Sequence, residues 1–380
     1  MKGIKMAKNV LLLVTGMSPA IVTETVYGLA VNPMDGREKW IPDEVHIIST
    51  EHGLVQVRER LLDKKNFQKL IDDYQLPNIK FDESQLYPIV DQNGQPQNDL
   101  RTPEDNERAA NLICEKVRYF TSDKDEHGNE KPEHEKVASL HVSIAGGRKT
   151  MGFYIGYALS LYGRPQDHMS HVLVEAPFDE TKVPDFYYPT PYPHNLPDFY
   201  NTFWNVQQAK IWLSYIPFVR LRASLPESSL LKNATFSEVV NTINLANQPI
   251  SVQLNMTART VTIGQKTVRL APREFAFYCW FAELAQAQSD SIPAIVEGEH
   301  RPLPRLFELW KGADSQDPTD PKSGTFDKPF FEQRLAKIKS IFVDEFTESV
   351  AKAVLVQLKD GRGSGYILPL TPEQICIVAS

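Results

Sequence analysis

The sequence predicts an α/β protein in which a parallel-sheet domain over residues 1–222 is followed by a winged helix-turn-helix domain over residues 223–380. In the first part of the chain, short aliphatic runs alternate with helical stretches, as in parallel strands joined by right-handed crossovers. Beyond residue 222 the pattern changes to a hairpin, helices and a second hairpin with a glycine-rich turn. That order is typical of a winged helix.

The predicted strands of the first domain are Asn9–Val14, Glu44–Ser49, Ser139–Ala145 and His171–Ala176. Its predicted helices are Gln56–Tyr74, a helix starting at Thr102, and Thr150–Tyr162. Thr102 can cap its helix, Pro103 suits the first helical position, and Asp105 completes a capping box. Because strands and helices alternate at this spacing, we expect one parallel sheet.

The second domain should begin with a hairpin of Thr260–Ile263 and Lys266–Leu270 around a tight turn. Amphipathic helices are expected over Pro272–Ala285 and Asp327–Phe346, with loop-rich chain over Ser289–Lys328 between them. A strand–turn–strand closes the domain over Ala353–Leu358, Lys359–Gly365 and Tyr366–Leu370.

Composition excludes several classes of protein. The 380 residues carry 41 Lys and Arg against 48 Asp and Glu, a net charge of −7, which argues against a protein that coats nucleic acid through bulk charge. The three cysteines are far apart, which excludes a disulfide scaffold and a zinc ribbon and predicts a cytoplasmic protein. The apolar run Val10–Val14 is too short for a signal peptide, and we expect no membrane partner.

Two loops of the first domain each follow a buried strand and precede a helix: Thr15–Pro19 and Gly146–Thr150. Loops of this kind in a parallel sheet meet at the carboxyl edge of the strands, where ligands bind. Glycine pairs let an anion approach the backbone closely, and a helix N-terminus offers unpaired N–H groups. With the charges of Arg148 and Lys149 and the hydroxyls of both loops, this is a set of groups suited to a phosphate or phosphodiester.

The two loops match neither of the common phosphate-binding motifs. The spacing GxxxxGK[ST] of a Walker A loop is missing, and neither loop is GxGxxG. Gly146-Gly147 is equally consistent with a tight turn carrying two solvated cations. Glu24, soon after the first loop, could contact a ribose or cap its helix.

The stretches Val10–Glu24 (VLLLVTGMSPAIVTE) and Ser143–Met151 (SIAGGRKTM) resemble the CRISPR-associated Rossmann-fold (CARF) family. The branch they most resemble is the CRISPR-associated ring nucleases, in which a Rossmann-like CARF domain precedes a winged helix. His171–Val174 (HVLV) and Ile216–Arg222 (IPFVRLR) are similar to the same branch. The resemblance covers about residues 9–222 and is much weaker beyond them.

This resemblance implies a cytoplasmic homodimer of type III CRISPR antiviral defence that binds cyclic tetra-adenylate across its two-fold axis, with cyclic hexa-adenylate as the other candidate ring. It implies a hydrolase that needs neither metal nor cofactor, in which each ribose 2′-hydroxyl attacks its own phosphodiester and leaves a 2′,3′-cyclic phosphate. The implied catalytic residues are Ser18, Lys149 and Thr15. The implied ligand-binding residues are Gly16, Met17, Thr23, Glu24, Gly146, Gly147, Arg148 and Thr150.

Two other functions remain open: a transcriptional regulator gated by the cyclic ligand, and a sensor without enzymatic activity. DNA binding is weakly supported, because the helix Asp327–Phe346 is only mildly basic and the wing turn carries a single arginine. The basic residues concerned are Lys322, Lys328, Arg334, Lys337, Lys339 and Arg362. A dimerisation or partner-binding role for the second domain is at least as consistent with this charge.

Further candidates have simpler interpretations. Arg164 and His171 match the RxxxxxxH spacing of ribonuclease domains but straddle a helix end and a strand, which indicates coincidence. His168 and His171 have no third metal ligand nearby, and Glu180-Thr181-Lys182 lacks the strand of a metal nuclease. The tyrosines near the proline-rich segment could stack on adenines or simply pack against it: Tyr187, Tyr188 and Tyr192. His52, Gly53 and Arg58 follow the second strand and could line the same sheet edge, although a plain turn is the simpler interpretation.

Overall fold

Two compact units make up the chain, Met1–Ala223 and Ser224–Ser380, in the computed structural model. The structure describes residues 7–34, 36–125, 127–179, 182–226, 229–230, 234–246, 249–311, 324–358 and 365–378. Among these residues, no helix is both long and apolar enough to cross a bilayer.

A six-stranded sheet forms the centre of the first unit, in the order β3-β2-β1-β4-β5-β8. The strands of this unit are β1 (Lys8–Val14), β2 (Glu44–Ser49), β3 (Leu86–Pro88), β4 (Val137–Ser143), β5 (His168–Val174), β6 (Asn195–Pro197), β7 (Phe203–Asn205) and β8 (Ile211–Tyr215). The first five strands of the sheet are parallel, and β8 joins the edge antiparallel to β5. The predicted α/β fold with a Rossmann-like parallel sheet is confirmed.

The helices of this unit are α1 (Ala20–Val26), α2 (Glu51–Val57), α3 (Asn66–Asp73), α4 (Pro103–Thr121) and α5 (Lys149–Tyr162). The predicted capping box of α4 is present: the Asp105 amide donates to Thr102 Oγ1 at 3.1 Å, and the Thr102 amide donates to Asp105 Oδ2 at 2.9 Å. Helices α1 and α2 continue as π-helical segments over Tyr27–Val31 and Arg58–Asp63.

The single helix predicted over Gln56–Tyr74 is wrong in both its start and its continuity. It starts earlier, at Glu51, because Thr50 supplies an N-cap hydroxyl to the Gly53 amide. It is interrupted at Lys65, whose φ of 55° lies in the left-handed region, so α3 is a separate helix. Apolar spacing alone does not reveal such a break, because the same face stays buried on both sides of it.

The second unit contains a four-stranded sheet in the order β11-β10-β9-β16 and two two-stranded ladders. Its strands are β9 (Val252–Asn255), β10 (Thr260–Ile263), β11 (Lys266–Arg269), β12 (Arg301–Pro302), β13 (Thr325–Phe326), β14 (Gln357–Leu358), β15 (Tyr366–Ile367) and β16 (Ile375–Val378). Its helices are α6 (Phe236–Leu245), α7 (Pro272–Gln286), α8 (Pro304–Lys311), α9 (Lys328–Glu345) and α10 (Glu348–Val354). The predicted hairpin of β10 and β11 is present.

Two predictions for the second unit are corrected by the structure. Most of the strand predicted over Ala353–Leu358 is absent, because the chain to Val354 belongs to α10, whose apolar residues are buried at helical spacing. The segment predicted to be loop-rich contains α8, with Leu306 and Trp310 buried. The predicted turn at residues 359–364 lies outside the described residues.

A buried carboxylate fixes the connection between α5 and β5. Asp167 is fully buried and accepts hydrogen bonds from the Leu140 amide at 2.9 Å and the Arg164 amide at 2.7 Å. The Arg164 guanidinium also donates to both oxygens of this carboxylate and to the Val137 carbonyl oxygen. One side chain thereby ties the α5–β5 turn to β4.

Asp167→Ala should lower the free energy of unfolding of the first unit by about 3–5 kcal/mol, because it removes the buried carboxylate that pairs with the Arg164 guanidinium and accepts from two backbone amides. Urea denaturation of the whole protein, followed by far-UV circular dichroism, measures this change. The matched control is Asp123→Ala, which removes an exposed carboxylate 3.9 Å from the same guanidinium and should cost less than about 1 kcal/mol. Equal losses in the two variants would contradict this account.

Candidate functional site

The loops that follow β1 and β4 touch each other through their glycines. A Cβ placed on Gly16 would lie 3.3 Å from the Cα of Gly147. A Cβ on Gly146 would lie 2.2 Å from Ile21 Cδ1 and 2.7 Å from the Val14 carbonyl oxygen, closer than any side chain could approach. Glycine is therefore required for the two loops to meet at the carboxyl edge of the sheet.

The end of β2 and the first turn of α2 also contact the first loop. Ser49 Oγ donates to the Thr15 carbonyl oxygen at 2.7 Å, and the Thr15 amide donates to the Ile48 carbonyl oxygen at 3.2 Å. A Cβ on Gly53 would lie 2.9 Å from the Gly16 carbonyl oxygen. Sequence reasoning missed Ser49 and gave Gly53 no firm role. A glycine soon after a strand at this edge could have indicated the close approach of another loop.

Within the first loop, the hydroxyl-bearing residues differ in exposure. Thr15 is buried, and its Oγ1 has no hydrogen-bond partner among the described residues. Met17 and Ser18 are exposed, and Gly16 is half-buried. A buried hydroxyl without a partner costs about 1–3 kcal/mol, so Thr15 stores free energy that a bound polar group could recover.

The second loop presents its backbone and a free cation. Gly147 has a φ of 76°, and the residues from Gly147 to Thr150 are exposed. No described acceptor takes the amide protons of Gly147, Lys149 or Thr150, and no side chain caps α5. The Lys149 ammonium makes no ion pair with any residue that the structure describes. These donors can all reach an anion at the start of the helix.

Arg148 already has a partner. Its guanidinium donates from Nε to Asp99 Oδ1 at 2.9 Å and from Nη2 to the same oxygen at 2.6 Å. The hydrogen bonds from Arg148 lower the pKa of the Asp99 carboxyl to about 2, well below its usual range. An anion that binds the Nε and Nη2 side of Arg148 must therefore compete with this carboxylate. The sequence does not signal this pair, because Asp99 lies 49 residues before Arg148.

Two predicted ligand contacts are buried inside α1. Thr23 is fully buried, and its Oγ1 donates to the Ala20 carbonyl oxygen at 2.8 Å. Glu24 is also buried. The structure does not bring either side chain to the exposed surface of the two loops, because α1 turns this face toward the sheet.

The alternative nuclease and metal motifs are not assembled. Arg164 is engaged by Asp167 rather than by His171, which lies within β5. Among the described residues, no group of three His, Cys, Asp or Glu side chains could hold a metal ion. Glu180 and Thr181 lie outside the described residues.

The tyrosines of the proline-rich segment line a cavity of about 460 Å³ beside α3. Tyr187 and Tyr188 are buried, and the Tyr188 hydroxyl donates to Asp73 Oδ2 at 2.8 Å. Burial raises the pKa of the Tyr188 hydroxyl. Packing thus accounts for Tyr188, while Tyr192, which is exposed, also donates to Asp73.

One protein-family model matches most of the first unit and the beginning of the second. The family model described as CRISPR-associated protein NE0113 matches residues 18–247, more than half of the chain. No curated protein matches the chain.

Among solved structures, Can2 from Sulfobacillus thermosulfidooxidans in complex with cyclic tetra-adenylate (cA4) is 10% identical to this chain, with a TM-score of 0.21. The match covers 88% of this chain and 65% of that chain, so this chain spans less than two thirds of the Can2 chain. A TM-score this low carries no inference about function.

Gly146→Ala should displace the two loops and destabilise the first unit by about 1–3 kcal/mol, because the added methyl overlaps Ile21 and the Val14 carbonyl group. Thermal unfolding measures the loss. The control is Gly94→Ala, where a Cβ meets nothing within 4 Å and only the positive φ adds cost, about 1 kcal/mol. A Gly146→Ala protein as stable as wild type would show that the loops do not depend on this contact.

Proposed function

The chain belongs to the CRISPR-associated protein NE0113 family, and on that premise we propose that its first unit binds cyclic tetra-adenylate and opens the ring. The observation that carries the proposal is the contact between the glycines of two loops, beside a lysine that no described residue neutralises. A cyclic oligoadenylate is a compact polyanion with one phosphodiester per ribose. Unpaired amides and a free ammonium at one sheet edge are the groups that such a ligand requires.

The proposed binding unit is a homodimer. Helix α5 begins at the candidate site, and on its outer face Phe153 is 65% exposed, one turn beyond Lys149. Its ring lies 5.7 Å from that of Tyr157, so the exposed face of α5 is aromatic rather than charged. Pairing this face across a two-fold axis would bury Phe153 and bring two copies of Lys149 to one ring. A tetra-adenylate ring has the matching two-fold symmetry.

The proposed reaction is an in-line transesterification within the ring. The ribose 2′-oxygen forms a bond to phosphorus, the bond from phosphorus to the 5′-oxygen breaks, and the proton lost by the hydroxyl ends on that 5′-oxygen. The product is a linear oligoadenylate with a 2′,3′-cyclic phosphate, which no longer activates the antiviral response. No step assigns a role to a metal ion or a cofactor.

Each loop has a distinct part in this reaction. Lys149 and the amide of Gly147 stabilise the charge that grows on the non-bridging phosphate oxygens. Ser18, exposed in the first loop, orients the attacking hydroxyl, and Thr15 accepts or donates a hydrogen bond through its unpaired Oγ1. Since positioning supplies most of the acceleration and no strong base is present in either loop, turnover should be slow.

For residues 223–380 we propose a winged helix that serves dimerisation or partner binding rather than DNA binding. Its helices α7 and α9 and the β14–β15 ladder support the assignment. Arg334, one of the basic residues counted for α9, is buried and donates to Glu274 at 2.6 Å. The Lys337 ammonium lies 3.7 Å from the same carboxylate, which further reduces the positive charge available to a phosphate backbone. Two other expected cations lie outside the described residues: Lys322 and Arg362.

Purified protein incubated for hours with labelled cyclic tetra-adenylate and EDTA should give linear products that end in a 2′,3′-cyclic phosphate. Lys149→Ala should slow cleavage about 10²–10³-fold, as for loss of one charge-stabilising group, and should also weaken binding. Ser18→Ala should reduce cleavage more than binding. Chromatography of the products, with calorimetry for binding, separates these effects.

The matched control is Lys80→Ala, which removes an exposed cation at the opposite edge of the sheet, where the Lys80 backbone pairs with Val45. Its cleavage rate should equal that of wild type. Absence of linear product at stoichiometric protein would overturn the proposed activity. Binding without cleavage would favour the sensor or regulator alternatives.

Phe153→Glu should convert the dimer into a monomer, because a carboxylate would be buried in the proposed α5 interface, and cleavage should be lost although Lys149 remains. Size-exclusion chromatography with light scattering measures the mass. Val219→Glu is the control, since Val219 is exposed and lies beyond the end of β8. A Phe153→Glu protein that stays dimeric and active would refute the interface.

A further inference from the structure

The chain between β5 and β8, here called the insertion, starts at the same edge of the sheet as the two loops. Strand β5 leaves the sheet at Val174 and β8 enters it at Ile211, and these two residues are cross-strand partners. The carboxyl end of β5 lies at the edge that also holds the ends of β1 and β4, because the three strands are parallel. The chain between β5 and β8 therefore begins and ends at the edge that carries the candidate site.

The insertion packs against residues adjacent to both site loops. Its buried cluster consists of Val172, Phe178, Val183, Phe186, Val206, Ala209 and Ile211. Ile21, whose Cδ1 excludes a side chain at Gly146, packs against this cluster, and so does Ala145, which directly precedes Gly146. Leu196, in the first strand of the β6–β7 hairpin, packs against it as well. The hairpin, the insertion and the two loops are thus parts of one packed assembly.

The hairpin displays aromatic rings to solvent. Phe199, Tyr200 and Phe203 are 67%, 89% and 66% exposed, and Trp204 is 37% exposed. Asp198 orders the turn by accepting from the amides of Tyr200 and Thr202, both at 2.8 Å, and from Trp204 Nε1 at 3.0 Å. Four exposed aromatic side chains within six residues form an apolar cluster of the kind that marks binding sites on protein surfaces.

The chemistry of the hairpin indicates what it contacts. Residues 195–205 contain no lysine or arginine, and Asp198 is their one charged residue, so the hairpin is unsuited to phosphate groups. Aromatic rings without cations suit the faces of nucleobases. The loops after β1 and β4 have the complementary character, with a free ammonium and unpaired amides but, apart from Met17, no large exposed apolar side chain.

We propose that the β6–β7 hairpin stacks its exposed aromatic rings on adenine bases of the bound ring, while the two loops hold the phosphodiesters. This inference rests on the proposed function and adds to it the source of base recognition. A ligand with the same phosphates but no bases would lose the hairpin contacts and keep the loop contacts. The hairpin is therefore a binding element, and Phe199 and Tyr200 are its principal contacts.

The experiment measures the Kd of the full-length protein for a 2′-deoxy cyclic tetra-adenylate, a probe that cannot undergo in-line attack. The double substitution Phe199→Leu with Tyr200→Leu keeps apolar surface but removes both rings, and it should raise Kd by about 5- to 150-fold. The matched variant Phe199→Tyr with Tyr200→Phe keeps both rings and should bind like wild type. Ligand should also change the fluorescence of Trp204, and Trp204→Phe should remove that change.

Each outcome bears on a different claim. If wild-type protein fails to bind the probe and cyclic tetra-adenylate alike, the proposed function fails and takes this inference with it. If wild type binds and the leucine variant binds equally well, only the stacking role is overturned. If the leucine variant instead changes the mass of the protein without ligand, the hairpin contacts a second copy of the chain, and the stacking role is again overturned. Val219→Ala, an exposed apolar control beyond the end of β8, should change neither quantity.

Discussion

The candidate site depends on one steric constraint, the close approach of the backbone at Gly16 to the backbone at Gly147. Neither loop could reach this position with a side chain at Gly146, since Ile21 and the end of β1 occupy the space. The two loops follow β1 and β4, which are neighbours in the sheet. The glycine contact can form only with these two strands side by side. The fold and the site therefore share a constraint, and a change that separates the loops would alter both.

Much of the first unit follows from local pattern. The capping box at Thr102 and Asp105 and the aliphatic runs of β1 and β2 are short-range signals, so sequence reasoning located these elements closely. The glycine pair at 146–147 carried enough information to place the second loop at the edge of a parallel sheet. Ser49 and Asp99 were missed because their contacts, with Thr15 and Arg148, join residues 34 and 49 positions apart.

Burial inside a helix explains the residues that sequence reasoning placed less well. For Thr23 and Glu24, which follow the first loop, the family resemblance implies ligand contacts, yet both side chains are buried within α1. In the second unit a strand is predicted over Ala353–Leu358, while burial of Val350 and Val354 on one helical face favours a helix up to Val354. Secondary-structure propensity is a weak guide where a short segment fits both the helical and the strand spacing of apolar residues.

The ion pair between Arg148 and Asp99 has a consequence for how affinity responds to ionic strength. A phosphate that took the place of this carboxylate would exchange one fixed negative partner for another, and it would release no mobile ion from Arg148. The loss of affinity with added salt that accompanies counterion release would then come from Lys149, because the helix amides carry no net charge. Binding at this edge should accordingly be less sensitive to salt than the number of its positive charges suggests.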